Sequence, residues 1–397
     1  MPITADPYND IVVGNKYTDP DTGQQGIQGS SAGATINTLS KNFKYPQVLR
    51  VNLGFDHEFE NGWKVTLDGI FSKGFNNIYF RNVALESTAK VYGASAAAAT
   101  SNPASVAPYY HAKSGDFKTI VALGNTNQGY SYSASAKVEK TFDWGLYLMG
   151  SYTYGHSFTA NDGLSSQAHS NLTTNPSVDT NAPELSYSLF DIPHKVAAIA
   201  AYNSPRYAGG LLATSVSLAY TGTSGQRYSF VYYDSSAADA FNGDGYQGNS
   251  LIYIPLADEM ANIKWSTPAD QVAFEKLIRS DKYLSSHRGQ WAERNGGISP
   301  FEHHIDLQIA EDVFYDRKGG RKMQVTMDLL NLTNLLNREW GLSYASTITR
   351  SPLNVVSLTK DASGNMVPEF SFKKDNAIYL SDFSSRWRFQ LGVKFTF

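Results

Sequence analysis

The sequence contains no cysteine, which removes disulfides, thiolate zinc sites and cysteine nucleophiles together. Charge is scarce too, at 17% of residues against roughly 25% in soluble globular domains. Lysine and arginine number 33 against 36 aspartates and glutamates, a net charge of −3. With no long basic run, nucleic acid is disfavoured as a partner. No stretch approaches the roughly 18 consecutive apolar residues that a spanning helix needs, which excludes a helical membrane protein but not a barrel. The opening Met1-Pro2-Ile3-Thr4-Ala5-Asp6-Pro7 has no basic n-region and no apolar h-region, so the reading expects either a cytoplasmic chain or a piece of a longer precursor. Catalytic signatures are missing as well. There is no G-x-S-x-G elbow, no P-loop and no zinc-type histidine pair; the adjacent His303 and His304 point to opposite sides of a strand. The expectation is not an enzyme, with no cofactor.

Aromatic residues are abundant: 25 tyrosines, 21 phenylalanines and 6 tryptophans in 397 residues. Many of them fall in alternation of period two, the mark of a strand with one apolar face. Leu49, Val51, Leu53, Phe55 and Phe59 alternate with Arg50, Asn52, Gly54, Asp56 and Glu58. Glu60-Asn61-Gly62 follows, an Asn-Gly hairpin turn in which both residues tolerate positive φ. The return strand carries Trp63, Val65, Leu67, Gly69 and Phe71, with Ile70 as the exception to the alternation. Three further hairpins turn at residues 143–145, 203–210 and 317–321. The ninth strand, Arg386 to Phe397, places Trp387, Phe389, Leu391, Val393, Phe395 and Phe397 on one face.

Short turns alternate with long polar connections: Met1 to about Tyr45, Asn82 to Gly129, Phe158 to Pro193, Thr221 to Glu302 and Leu335 to about Ser384. Loops beyond about 12–15 residues are uncommon in a compact domain unless functional, whereas outer-membrane barrels pair short periplasmic turns with long outer loops as a rule. A soluble sandwich is the alternative, since alternation alone does not separate the two. Tyr and Trp near strand ends (Trp63, Tyr130, Tyr132, Trp144, Tyr152, Tyr154, Tyr202, Tyr220 and Trp387) suit an interfacial girdle. The fold class expected is therefore all-β, an antiparallel transmembrane β-barrel in the bacterial outer membrane, with long extracellular loops and one short loop helix. That helix is read from Thr267-Pro268-Ala269-Asp270, a cap followed by proline and an acidic first turn, and runs through Phe274, Leu277 and Ile278 towards Leu284.

Three stretches resemble one family. The ending Lys394-Phe395-Thr396-Phe397 resembles the C-terminal signal by which bacterial outer-membrane barrels are recognised for insertion. Asp328-Leu329-Leu330-Asn331-Leu332-Thr333-Asn334-Leu335-Leu336-Asn337 is similar to the D-x-x-N-L-x-N-x-x-N segment of TonB-dependent receptors, with Asp328, Asn331, Asn334 and Asn337 as its motif positions. Asn242-Gly243-Asp244-Gly245, Leu251-Ile252-Tyr253-Ile254-Pro255 and Phe43-Lys44-Tyr45-Pro46-Gln47-Val48 resemble the Oar-like branch common in Bacteroidetes. The resemblance implies that residues 1–397 are the C-terminal portion of a barrel of about twenty-two strands, a size whose lumen is plugged, with the plug and the first strands lying outside this chain. It implies energised nutrient import. The partners implied are outer-membrane lipid, the TonB complex through the N-terminal part, the barrel insertion machinery and a surface lipoprotein; a passive pore or structural barrel, or an outer-membrane hydrolase, is the alternative.

On the inner face the alternation puts Arg50, Asp56, Glu58, Lys64, Asp68, Lys137, Glu139, Asp306, Asp312, Asp328, Arg386 and Arg388, both signs together, as a hydrated wall or plug contacts would have. Candidate substrate contacts lie in the longest loop: Arg227, Tyr228, Tyr232, Tyr233 and Tyr246, offering rings and hydrogen bonds to a sugar or peptide, with packing at the barrel rim as the other reading. Asn242-Gly243-Asp244-Gly245 has oxygen ligands suited to calcium but lacks the full twelve-residue loop, which leaves an ordinary turn.

Overall fold

The computed structural model describes residues 35–113, 119–234, 240–316, 320–374 and 378–397, with the backbone of two short paired strands, Asn15–Thr18 and Gln25–Gln28. Nine strands follow one another in a single antiparallel path: β1 (Gln47–Glu58), β2 (Trp63–Phe75), β3 (Tyr130–Thr141), β4 (Leu146–Thr159), β5 (His194–Asn203), β6 (Ala213–Thr223), β7 (Glu302–Tyr315), β8 (Lys322–Leu330) and β9 (Arg388–Thr396). Each pairs with its predecessor and successor in the sequence, which is the meander expected from the hairpins. The two-residue strand Ser186–Tyr187 adds itself beside β4. At the ends of the path, β1 and β9 have no second partner among the described strands.

The register keeps the apolar set on one face across the whole sheet. One row runs Leu148, Ala200, Leu218, Leu307, Leu329 and Phe389 from β4 to β9; another runs Val65, Val138, Gly150, Ala198, Tyr220 and Ile305 from β2 to β7. A slip of one residue in any pair would turn that strand's apolar set to the other face, so the pattern fixes the pairing. The alternation breaks in β7, where the register shifts between Asp312 and Phe314 and leaves Val313 in a bulge.

The turns differ in detail from the Asn-Gly reading. At Glu60-Asn61-Gly62 only the glycine takes a positive φ, +79°, while Gly62 N donates to the Phe59 carbonyl and Phe59 N to the Trp63 carbonyl. The chain thus turns over Glu60 and Asn61 and recovers the strand through a left-handed glycine, the longer-loop solution to a hairpin. The second hairpin repeats it with Phe142 and Gly145, φ +98°. The last turn, between Asp316 and Gly320, lies mostly outside the described residues, although Asp316 N donates to the Arg321 carbonyl at 2.8 Å.

The buried core lies in the connections, not in the wall. Segments of the long loops assemble into a second sheet, in the order Gly297–Ile298, Arg227–Tyr233, Thr349–Lys360, Met366–Phe372, Leu85–Tyr92 and Val106–Ala112. Three of its contacts are parallel: Ser229 beside Thr349, Met366 beside Val91, and Lys264 beside Glu369. A hairpin makes antiparallel neighbours, so these parallel ones join different loops. Phe230, Tyr232, Phe241, Ile252, Tyr253, Ile254, Phe274, Ile278, Leu284 and Phe370 are fully enclosed in one cluster beneath this sheet. The loops therefore form a dome with its own interior. Beside it Thr35–Leu39, Thr119–Thr126 and Asn77–Asn82 make a three-stranded sheet, packed by Phe80, Val121, Leu172 and Tyr246.

The expected loop helix is present and shorter. It spans Pro268–Ser280, with Thr267 and Asp270 in a reciprocal capping box. It does not reach Leu284: Asp281 leaves helical geometry and its side chain accepts from Tyr283 N and Leu284 N, starting a separate turn at Lys282–Ser286. An N-capping aspartate is a better start than a continuation. Phe274, Ile278 and Leu284 point into the dome.

Candidate functional site

Each strand of the wall separates two environments. The apolar face is solvent-exposed in the chain alone: Leu53 is 78%, Leu391 66% and Val393 72% exposed. Exposed apolar surface of this extent requires a partner phase. Rings gather at both ends of that face. At the turn end Trp63 meets Phe142 and Trp144 meets Tyr202; at the loop end the Tyr152 hydroxyl lies 2.7 Å from His194 Nδ1 and the Tyr220 hydroxyl 2.8 Å from His303 Nδ1. Rings with one polar edge suit a membrane–water boundary. His303 and His304 do take opposite faces, His304 Nε2 sitting 3.1 Å from Ser343 Oγ.

The opposite face carries mutually satisfied polar groups. Lys64 pairs with Glu58, Lys137 with Glu139, Thr66 Oγ1 donates to Asp56, Gln308 to Asp328, and Asp312 receives Arg206, Lys322 and Gln324. This is a hydrated wall of both signs. Arg386 does not belong to it: β9 begins only at Arg388, and Arg386 pairs with Asp382 four residues back, across a short helix that ends at Ser385. Trp387 likewise precedes the strand.

Such a two-faced meander, apolar and ringed outside and polar within, defines a β-barrel protein of the bacterial outer membrane, and no helix among the described residues is long and apolar enough to cross a membrane. The chain belongs to the outer membrane beta barrel domain family, whose model matches residues 2–351. No curated protein matches it.

At the loop end of the lumen the sequence-derived contacts fall in different places. Arg227 is buried: Nε donates to Asp191 Oδ2 at 2.6 Å, an Nη to the Asn295 carbonyl at 3.0 Å, and the guanidinium lies 3.7 Å from the Tyr187 ring centre. Tyr228 is buried beside Phe230 with its hydroxyl 3.2 Å from Arg350. Tyr232 is fully enclosed, its ring near-parallel to those of Phe241 and Phe370 with centres 4.0 and 5.1 Å away. Desolvation pushes its hydroxyl far above the ordinary tyrosine value. Tyr246 accepts from Asn82 Nδ2 at 2.9 Å inside the smaller cluster, and its hydroxyl is pushed up to about 12, chiefly by burial. Of the five only Tyr233 is exposed, at 41%, with Lys373 Nζ 3.4 Å above its ring. Arg227–Tyr233 is buried on both faces up to its last residue, so Arg227, Tyr228 and Tyr232 pack the dome, while Tyr246 packs the smaller cluster beside it.

The glycine-rich stretch at Asp244 is a hydrogen-bonded turn. Its carboxylate accepts from Thr180 Oγ1, the side-chain amides of Asn242 and Asn249, and Tyr246 N. Burial raises its pKa despite those donors. A carboxylate ringed by donors is arranged for its own lone pairs, not for a cation.

The asparagine motif ties wall to dome. Asp328 accepts Gln308 in the lumen. Asn331 sits at φ +56°, donates from its backbone to Asp306 and from its amide to the Gly341 and Ser385 carbonyls at 2.8 and 2.9 Å. Asn334 donates to the Arg338 and Trp340 carbonyls, and Asn337 accepts from Glu339 N. A left-handed residue that also needs side-chain donors favours asparagine.

Sequence reasoning did not single out the segment 188–193, which carries the most distinctive surface at this mouth. Asp191 anchors it, accepting Ser157 N at 2.7 Å, His156 Nδ1 at 3.1 Å and Arg227. Flanking it, Phe190 and Ile192 are 69% and 55% exposed towards the lumen side of β2–β4, where Ile70 also projects. Ile70 was the visible signal: it is the one apolar residue breaking the alternation of β2.

Proposed function

We propose that the chain is the C-terminal part of a TonB-dependent outer-membrane receptor of the Oar-like type, importing a nutrient by energised opening of a plugged lumen. The observation that carries the reading is the dome. Four long connections interlock over the outer mouth around a shared core, which is costly for a passive pore and useful for a receptor that must hold a ligand before transport. The asparagine motif and the terminal aromatic signal add the resemblance to that family.

Two further points fit this reading. Among the described residues the sheet path ends on β1 and β9 without a second partner for either, and edge groups in lipid cost several kcal/mol each, so further strands of a larger barrel, of about twenty-two, would complete it. The lumen wall, carrying both charges in satisfied pairs, offers a plug polar contacts rather than a one-sign filter. Partners on this reading are the TonB complex through the N-terminal part, the insertion machinery for β9 and a surface lipoprotein over the dome; the chain contributes binding and passage with no catalytic step.

The test is conductance of the full-length protein in planar bilayers beside growth-dependent uptake in cells with and without TonB. A closed lumen and TonB-dependent uptake are the expected result. A large constitutive current with uptake unaffected by loss of TonB would replace this reading by a passive pore.

A further inference from the structure

We infer that the lumen mouth beneath the dome binds a neutral oligosaccharide, with Phe190 as the stacking platform; this names the ligand class for the import function proposed above and rests on it. Two recesses of about 480 and 220 Å³ adjoin there and share Ser131 and Ser157. The wall they share comes from β3 and β4, to which β2 adds Ser72 and Ile70; Val48 of β1, Ile78, Phe80 and the segment 161–171 close the larger recess, and Phe190 to Ile192 the smaller. The register aligns Ser72, Ser131 and Ser157 in one row across these strands and Ile70, Ser133 and Gly155 in the next. Rows along a strand lie ~7 Å apart and paired positions ~5 Å apart, the scale of a pyranose ring.

The recess combines two chemistries. Ile70, Phe190 and Ile192 present apolar surface beside the serine row, and each is more than 40% exposed; Pro46, Val48, Ile78 and Phe80 continue that surface into the larger recess. An aromatic ring left facing water beside a polar wall marks a contact surface. The segment bearing it is fixed: Asp191 is held by Ser157 N, His156 and Arg227, Leu189 N donates to Asp162, and Gly155 N donates to the Pro193 carbonyl. Binding energy is therefore not spent on ordering the platform.

Charge selects the occupant. Among the residues lining both recesses the only acidic or basic side chains are Asp191 and His156, which are paired with one another. Arg50, the nearest cation on β1, already donates to Ser72. That bond leaves the Arg50 charge unpaired among the described residues, but Arg50 is not among the residues lining either recess, so an anionic chelate or phosphate ester would find no lysine or arginine within the recesses themselves. A peptide would find no free strand edge, since β2, β3 and β4 are paired on both sides. Serine hydroxyls both donate and accept, which complements sugar hydroxyls, while the apolar face of a sugar ring matches Phe190.

The full-length protein in detergent micelles is applied to an array of neutral and acidic oligosaccharides with peptide controls, and the strongest binder is then titrated by calorimetry. A neutral oligosaccharide should bind, with Phe190→Ala weakening it at least tenfold, Phe190→Tyr keeping it within about threefold, and Ser131→Ala with Ser157→Ala weakening it about threefold or more. Retention of the heat-resistant folded band on gels shows that each variant is folded. Selective binding of acidic sugars or peptides, no neutral binder above background, or a Phe190→Ala variant of unchanged affinity would each overturn the inference. Because binding is measured without TonB, such a failure removes the ligand class and leaves the import reading to the uptake and conductance test.

Discussion

Arg227 Nε stands 2.6 Å from Asp191 Oδ2, and both side chains are shut away from solvent. The pair joins the dome strand Arg227–Tyr233 to the rim segment that presents Phe190. Removing one member of a buried pair strands the other charge, at a cost of about 3–5 kcal/mol. Arg227→Ala should therefore lower the thermal midpoint of the dome strongly. Arg227→Lys should not restore it, because a single ammonium cannot hold Asp191 and the Asn295 carbonyl and also lie flat on Tyr187. A variant of normal melting temperature with selectively lost ligand affinity would return Arg227 to the role of a substrate contact.

The neighbours Tyr232 and Tyr233 make a sharper comparison, since they alternate between interior and surface of one strand. Tyr232→Ala empties the space beside Phe241 and Phe370, where truncating a large buried ring costs about 3–5 kcal/mol. Tyr233→Ala removes a half-exposed ring and its contact with Lys373, an effect within about 1 kcal/mol. Hydrogen exchange of the dome amides should separate them. Equal protection in both variants would mean that the core lies elsewhere.

The wall was legible in the sequence almost strand by strand, because a two-sided environment writes a period of two into every strand it contains. Its exceptions were informative: Ile70 marks the apolar recess, and the bulge at Val313 marks where β7 changes register. The dome was not legible. Its strands are irregular in burial and paired across loops, as Ser229 is with Thr349, and an apolar run such as Phe230–Tyr233 carries no period that tells an exposed binding loop from a core strand. For that reason the sequence alone makes Tyr232 a candidate ligand contact. Phe190 was invisible for a related cause: an exposed ring held by a neighbouring buried aspartate has no pattern of its own.

Acid should loosen the dome. Hydrogen bonding from Thr267, and then from Phe372 N, holds the Asp270 carboxyl below its usual range. Lys264 and then Ser357 do the same for Glu369. Groups with a depressed folded pKa stabilise above the ordinary carboxylate range, near pH 4, and lose that contribution as pH falls through the folded value. Asp244, raised by burial, acts in the opposite sense: its contribution is present in acid and fades as pH rises through its folded pKa. The protection of Phe372 N, its exchange rate relative to that of an open amide at the same pH, should fall below about pH 4, and Asp270→Asn should flatten that dependence. Protection at Phe372 that does not change with pH would remove Asp270 as the link between helix and sheet.

The two faces of β9 give the strictest test of the barrel. Leu391 lies opposite Met327 on the apolar face, while Gln390 lies opposite Asp328 on the polar one. A charge placed at mid-membrane on the lipid side costs roughly 2–4 kcal/mol, so Leu391→Arg should leave the full-length protein poorly inserted. Gln390→Arg, one residue away, enters the hydrated face beside a carboxylate and should insert normally. Deleting Phe397, which is 95% exposed and stacks on Phe395 at 6.2 Å, should resemble Leu391→Arg if the terminal aromatic serves the insertion machinery. The measurement is fractionation of outer membranes from cells expressing the three variants beside wild type. Equal yields for the substitutions at 390 and 391 would mean that lipid does not distinguish the faces, and the assignment of the apolar rows from β2 to β9 to the membrane would fall with them.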